Sequence, residues 1–386
     1  MNDLDPLIAR LKPRLKIAVL HGAAPVAGST VIHRTFNPRP WKGYERVARD
    51  IAAALRREGF ARVRTMAEGR GLADALDAAG IQLVWLNTAG VQGCGSMGHA
   101  AATLESLGIP YVGHSPAVAT LLDDKVLFKQ WLQGQSMATA DFATWHPATG
   151  FRPSFHSVQR LERQSGGPLV VKPAVGRASR HVHWVARAFE AQEAARAIYR
   201  HTQDRVLIEP FLPGREFCLA VGPPISRRAK ARILTPRPRC LAPLERVFDE
   251  GEKTFSSLDL RPLGDGGPRV RPIDPTGDAA IGRELRAAAE KIFTGLHLTF
   301  PIRLDVRQDR NGRLHLLEAN PKPDLAARRG DGTQSLVASS LEARGESYDG
   351  LIADVLAYRL AWGRDFCRPS LAAIPGMATE GAVVGV

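Results

Sequence analysis

Two apolar segments near the C-terminal end constrain the fold most. Residues 301–308 and 313–319 are joined by Asp309-Arg310-Asn311-Gly312, and Asn-Gly between apolar runs is a strong turn signal. The spacing predicts an antiparallel hairpin. Arg303 and Asp305 lie two apart on one strand, and Glu318 and Asn320 two apart on the other, so each pair shares a face of its strand. Should the two faces coincide, two carboxylates, an amide oxygen and a guanidinium converge beside Ile302, Leu304, Leu316 and Leu317. Hard oxygen donors of this type suit Mg²⁺, which keeps waters and shares itself with phosphate oxygens. The plainer alternative is a hairpin laced by salt bridges. An apolar neighbourhood makes that alternative costly, because inward carboxylates must find partners.

The rest of the chain is organised around alternating strands and helices. Residues 16–21 and 81–87 are short apolar runs, and residues 109–112 form another. In residues 44–59, Val47, Ile51 and Leu55 recur at helical spacing and Gly59 closes the helix; residues 98–108 repeat the pattern. The first third is therefore expected to be a βα layer with a mostly parallel sheet. Residues 22–43 form an unusually long loop after the first strand, where loops are often functional. A helix over 117–133 leads to a region of strands at 141–146, 169–173, 181–185 and 205–210, with a helix at 189–201. A strand at 217–221, a long polar insert, a helix at 279–296, the hairpin, and helices at 334–344 and 348–363 complete the series. The expected division is 1–120, 121–215 and 216–366, with 367–386 a flexible tail.

Composition excludes several classes. The 386 residues include no apolar run long enough for a membrane-spanning helix, and residues 1–15 lack a signal-peptide core, so a cytoplasmic location is expected. Four cysteines lie far apart, which speaks against a disulfide framework or a structural zinc site. The net charge is +13, yet only ten of the 52 basic residues are lysine. Arginine spread along the whole chain reads as a compositional habit rather than a nucleic-acid stripe. No Walker loop, dinucleotide fingerprint or nucleophile elbow occurs. A second cluster fits a polyphosphate instead. The strand 169–173 places Lys172 ahead of the small-residue loop Gly176–Ser179, whose backbone N–H groups can cradle phosphate. Glu209 and Glu216 follow, at a strand end and seven residues on, where carboxylates can accept from ribose hydroxyls. Lysines kept at 125, 172 and 253 in an arginine-rich chain mark positions where a compact ammonium matters.

Taken in order, Leu86-Asn87, Leu107–Gly113, Asp124-Lys125, Val171-Lys172-Pro173, Gly176–Ser179, Ile208-Glu209-Pro210, Gly214-Arg215-Glu216, Glu252-Lys253, Arg303-x-Asp305 and Glu318-x-Asn320 resemble the ATP-grasp superfamily, in its D-alanine–D-alanine ligase-like branch. The resemblance runs from about residue 16 to 360, and its specificity lies in the order of short motifs. It implies an ATP-grasp fold of the α/β class: an N-terminal parallel βα domain, then two α+β subdomains enclosing ATP. It also implies an ATP-dependent ligase that phosphorylates a carboxylate and passes the acyl group to an amine, releasing ADP and phosphate. Lys125, Lys172 and the Gly176–Ser179 loop would contact the phosphates, with Glu209 beside the adenine and Glu216 at the ribose. Lys253 would reach the γ-phosphate from a mobile lid spanning 223–257. Asp305, Glu318 and Asn320 would hold two Mg²⁺ ions, and Arg303 would stabilise the transferring phosphoryl group.

Departures fall on the amino-acid side. The segment after Asn320 reads Pro-Lys-Pro-Asp324, with aspartate where the family has glycine. Thr254 replaces a tyrosine, the phosphate loop lacks a double serine, and the 22–43 insert replaces the short motif that holds the first substrate's amine. The expected substrates are therefore small amino-acid-like molecules, with an acceptor other than D-alanine and a pocket set by Asp324, Thr254 and the insert. The alternatives are a true D-alanine–D-alanine ligase and a nucleotide-binding module without catalysis. No membrane or nucleic-acid partner is expected, and a homodimer stays open.

Overall fold

The computed structural model describes residues 4–22, 44–90, 95–150, 152–176, 179–228, 231–252, 263 and 269–366. Residues 23–43 of the insert, Lys253, Thr254 and the tail lie outside them. The first part runs α1 (Asp5–Leu11), β1 (Lys16–Gly22), α2 (Tyr44–Arg57), β2 (Arg62–Glu68), α3 (Leu72–Ala78), β3 (Leu83–Asn87), α4 (His99–Ser106) and β4 (Tyr111–Val112). Its strands form a parallel sheet in the order β2-β1-β3-β4. Alternation along β1 sends Ile17 and Val19 to one face, against α2, and Ala18 and Leu20 to the other, against α3 and α4. Both faces are covered, as a parallel sheet requires. Gly59, at φ +98°, ends the turn after α2 in a conformation that side chains rarely adopt. β2 escapes a search for apolar runs because it is an edge strand with exposed charges.

Next come α5 (Pro116–Asp123), α6 (Lys125–Gly134), β5 (Ala143–Trp145), α7 (Arg152–Ser165), β6 (Leu169–Pro173), β7 (His183–Val185), α8 (Ala191–Thr202) and β8 (Val206–Pro210). The expected helix over 117–133 is thus two helices. Asp124, at ψ 110°, leaves the helical region and caps α6, accepting from the Val126 and Leu127 N–H groups at 2.8 and 3.1 Å. The antiparallel sheet β5-β8-β6-β7 packs one face against α7 and α8 through Leu169, Val171, Val206 and Ile208. Period 2 turns Lys172 and Glu209 to its other face.

The last part holds β9 (Glu216–Gly222), β10 (Ile225–Arg228), β11 (Ala231–Leu234), β12 (Arg239–Cys240), β13 (Leu244–Val247), β14 (Arg269–Pro272), α9 (Ala279–Gly295), β15 (Ile302–Gln308), β16 (Leu314–Asn320), α10 (Leu336–Glu342) and α11 (Tyr348–Phe366). The sheet order is β14-β13-β9-β15-β16, with β12 also pairing β9. Phe217, Leu219, Ile302, Leu304, Val306 and Leu316 face α9 and α6. The predicted hairpin turn is present: the Asp309 N–H donates to the Arg313 carbonyl, and Gly312 sits at φ +79°. Among the described residues no helix is long and apolar enough to cross a membrane.

The basic stretch from Arg227 to Arg239 corrects one expectation. The described residues of the 223–257 segment include the strands β10 to β13 rather than a loose cover, and Arg227, Arg232 and Arg239 reach acids on other segments. Asp354 of α11, 2% exposed, accepts from Arg227, Arg232 and Arg239 at 2.9–3.1 Å. Arg232 also donates to Asp5 and Glu58, both at 2.8 Å. The acidic partners lie more than a hundred positions away, where no local reading of the stretch can find them. Because Asp354→Ala strands guanidiniums away from water, it should lower stability by about 3–5 kcal/mol, measured by urea unfolding.

A second prediction concerns His114, just past β4. It packs edge-on against Phe300 at 5.6 Å, and burial pushes its pKa down to about 4. The unfolded chain takes up a proton near pH 6.5 that the fold refuses. Its destabilising contribution is absent above that pH, grows as pH falls and saturates below about 4. The fall should be about 1.4 kcal/mol per pH unit, roughly 3 kcal/mol in all, and His114→Phe should abolish it.

Candidate active site

Three elements of the central part and four strands of the last part bring the charged residues together. The Asp124 cap places Lys125 in the first turn of α6, where its backbone N–H donates to the Ala174 carbonyl at 2.9 Å. Its ammonium donates to the Gly176 carbonyl at 2.8 Å and pairs with Glu318 at 3.1 Å. Arg205 holds Asp124 from behind at 2.9 Å, and Asp204 accepts from the Val175 N–H at 2.6 Å. The start of the small-residue loop is thus tied to the helix that carries Lys125. Gly176 offers its carbonyl to that lysine, and Ser179 is exposed at φ +51°.

On the inner face of the central sheet, Lys172 forms an ion pair with Glu209, which also pairs with Lys129 at 2.8 Å. Burial alone would raise the Glu209 carboxyl, but two ammonium groups hold it down at about 2. Burial depresses Lys129 even beside Glu209, whereas Glu209 and Glu318 outweigh burial at Lys172 and raise it. The state that satisfies all three is an ionised Glu209 shared between two cations. Lys129 also donates to Thr139 at 2.8 Å, and the Thr139 hydroxyl donates to the Leu316 carbonyl at 2.8 Å. That chain of bonds fastens the central part to β16.

The hairpin faces do coincide, and a bulge makes them do so. Asp305 pairs with Glu318 and Val306 with Leu316, so Leu317 has no opposite number. Leu316 and Glu318 would share a face in a regular strand; the extra residue sends Leu316 to the core and Glu318 to the Asp305 side. Arg303 grips Asp305 through two bonds of 2.8 and 3.0 Å, and the Asn320 amide donates to Glu318 at 3.3 Å. Burial would raise the Glu318 carboxyl, but Lys125, Lys172 and Arg303 bring it to about 2.

Glu216, expected from the sequence at the ribose, is held by two arginines. Its two oxygens accept from Arg246 at 2.5 Å and Arg307 at 3.2 Å. Arg246 in turn reaches Asp305 at 3.1 Å, and the Arg307 guanidinium lies 4.8 Å from the Phe211 ring and 4.7 Å from the Phe248 ring. Lys129, Arg246 and Arg307 are absent from the sequence-level set. Signals for two of them existed: Lys129 is a rare lysine four residues from Lys125, and Arg307 continues the alternation of Arg303 and Asp305. Arg246 is hidden between acidic neighbours. Asp324 is exposed and accepts from the Ala326 N–H at 2.9 Å, while the nearby Arg328 pairs with Glu342.

The donor chemistry suits Mg²⁺. Asp305 and Glu318 offer hard oxygens from paired positions, with the Asn320 amide beside them, and the Glu318 side chain keeps 25% of its surface open. Among the described residues no third histidine, cysteine, aspartate or glutamate joins them in a metal-holding group, so a third protein oxygen would be that of Asn320.

No protein-family profile matches the chain. It is 30% identical over 285 residues to the D-alanine–D-alanine ligase of Cupriavidus metallidurans, covering 73% of this chain and 77% of that one. The D-alanine–D-alanine ligase of Polaromonas naphthalenivorans is also 30% identical, over 295 residues, with coverages of 74% and 82%. The crystal structure of D-alanine–D-alanine ligase from Bacillus anthracis superposes with a TM-score of 0.67 at 18% identity, covering 91% of this chain and 99% of that one. Sequence likeness over most of both chains and a shared fold, meeting at a cleft of lysines and paired hairpin carboxylates, lead to one conclusion: the chain belongs to the D-alanine–D-alanine ligase-like family of the ATP-grasp superfamily.

Proposed function

We propose that the protein is an ATP- and Mg²⁺-dependent carboxylate–amine ligase joining small amino-acid-like substrates through an acyl phosphate. The charge balance of the cleft carries this reading. Lys125, Lys129, Lys172, Arg246, Arg303 and Arg307 face Glu209, Glu216, Asp305 and Glu318, which leaves two positive charges in surplus. A polyphosphate would neutralise that surplus, and a water-poor site makes each such contact stronger. The solved ATP complex of the Bacillus anthracis ligase, with a TM-score of 0.65, supports the same nucleotide.

In this reading Lys125 and Lys172 hold phosphate oxygens, and the Gly176–Ser179 loop closes over them. Glu209 keeps Lys172 aimed and lies beside the adenine. Glu216 accepts ribose hydroxyls with the lone pairs that Arg246 and Arg307 leave, since a carboxylate has about four acceptor positions. Asp305, Glu318 and Asn320 hold the Mg²⁺ ions, which supply neutralisation of phosphate charge when bound. A substrate carboxylate oxygen attacks the γ-phosphorus, and the bond from that phosphorus to the bridging oxygen breaks as ADP leaves. Arg303 carries the charge on the transferring group. The amine nitrogen then attacks the acyl carbon, phosphate departs, and the nitrogen gives its proton to solvent. Lys253 keeps its proposed contact with the γ-phosphate, and the 1–120, 121–215 and 216–366 division belongs to the same reading.

Two experiments test it. Asp305→Asn or Glu318→Gln should cost turnover roughly a thousandfold or more while the chain still folds, because phosphoryl transfer rests on positioning and charge neutralisation. Near-normal amide formation by both variants would remove the metal assignment. In the second, hydroxylamine replaces the unknown acceptor. An acyl phosphate gives a hydroxamate with one ADP released, and a panel of amino acids that yields none would count against the ligase. The second reading, a true D-alanine–D-alanine ligase, draws on the names of the relatives. D-alanyl-D-alanine formed from D-alanine and ATP alone would favour it.

A further inference from the structure

A buried carboxylate outside the nucleotide cleft lies where the parallel sheet changes direction. From β1 the chain moves to β2 on one side and then crosses to β3 on the other. In open parallel sheets the crevice at the carboxyl ends of two such strands is where ligands bind. Here those ends are Gly22 of β1 and Asn87 of β3. Glu68 is the last residue of β2 and pairs with Gly22, while His21 pairs with Asn87, so Glu68, Gly22 and Thr88 stand level. Gly22 has no side chain to block the way. The Glu68 side chain reaches across the end of β1, and the Thr88 hydroxyl donates to it at 2.5 Å.

Glu68 is 6% exposed and Thr88 5%. Thr88 is the one hydrogen-bond partner that the described residues give this carboxylate, and no lysine or arginine among them pairs with it. By contrast, the buried carboxylates of Glu209, Glu216, Glu245, Asp305 and Asp354 are each held by at least one lysine or arginine. Burial accordingly raises the Glu68 pKa, with only Thr88 opposing. Glu45, the nearest acid in the following helix, is no substitute: it is exposed and taken by Arg49. A carboxylate out of water beside a hydroxyl, at the carboxyl ends of the strands where the sheet order switches, lacks a positive charge.

We propose that Glu68 and Thr88 form a cation-recognition subsite that takes the ammonium group of an amino-acid-like substrate. The subsite rests on the ligase reading for its substrate class, and it supplies from β2 a carboxylate that would select amino acids over plain carboxylic acids. Glu68→Gln keeps the shape and the bond to Thr88 but removes the charge. Glu68→Asp keeps the charge and shortens the reach.

Two measurements decide it on the full chain. The first is the thermal-unfolding shift, without ATP, given by the twenty proteinogenic amino acids, D-alanine and β-alanine, each beside its des-amino acid. At least one amino acid should shift the native chain more than its des-amino partner, and Glu68→Gln should weaken that affinity by about 10- to 100-fold. Glu68→Asp should recover part of it. The second is hydroxamate formation: Glu68→Gln should raise KM for the amino acid by a similar factor, against about threefold or less for the des-amino acid. Equal shifts by every amino acid and its des-amino partner, or amino-acid affinity unaltered in Glu68→Gln, would overturn the subsite. Charge-dependent binding without any hydroxamate would leave the subsite standing and sink the ligase.

Discussion

A carboxylate taken out of water must bring its cation with it, and the space between the two antiparallel sheets is organised by that rule. Glu209 holds Lys129 and Lys172 on one side; Glu318 holds Lys125 across the gap. Remove either carboxylate and buried ammonium groups lose their counterions, so the same contacts that shape the cleft also hold its halves together. The cleft keeps more positive than negative charge. That imbalance costs stability in the ligand-free chain and favours any dense anion that enters. Lysine at three of these positions is consistent with a compact ammonium that can turn from a carboxylate to a phosphate oxygen, which a planar guanidinium cannot do without moving.

The bulge at Leu317 has consequences out of proportion to one residue. In a regular strand Leu316 and Glu318 could not both be satisfied, because one of them would face the wrong environment. The slip in register resolves the conflict, seating Leu316 against α9 and α6 while Glu318 meets Asp305. Bulges often re-aim a side chain next to a site, and this one brings two carboxylates level on neighbouring strands. Arg246 then ties Asp305 to Glu216, so the proposed metal side and the proposed ribose side of the cleft share one guanidinium.

Arginine, so abundant in the composition, serves as interior fastening. Arg227, Arg232 and Arg239 converge on Asp354 and join β10, β11 and β12 to α11, while Asp5 and Glu58 bring in the N-terminal part. The guanidinium has five donors and can satisfy several carboxylates at once, which suits a junction of three segments. A stretch that looks like a solvated basic face is therefore part of the frame against which the parallel sheet is held. The sheet in turn carries Glu68 and the switch in strand order beside it.

Periodicity, turn chemistry and residue type alone determined the hairpin with its Asn-Gly turn, the parallel character of the first sheet, the strand ending in Lys172, and the charged set Arg303, Asp305, Glu318 and Asn320. These are local properties, readable because side chains alternate along a strand whatever the rest of the chain does. The order of motifs added the family. Only the tertiary structure decided the break at Asp124 that aims Lys125, the bulge that turns Glu318 inward, and the distant partners of Lys129, Arg246 and Arg232. It also decided that Gly22 stands level with Glu68 and Thr88. Each of these depends on which segments meet across the fold, and the energy of burying a charge is fixed by what it meets there rather than by its neighbours in sequence.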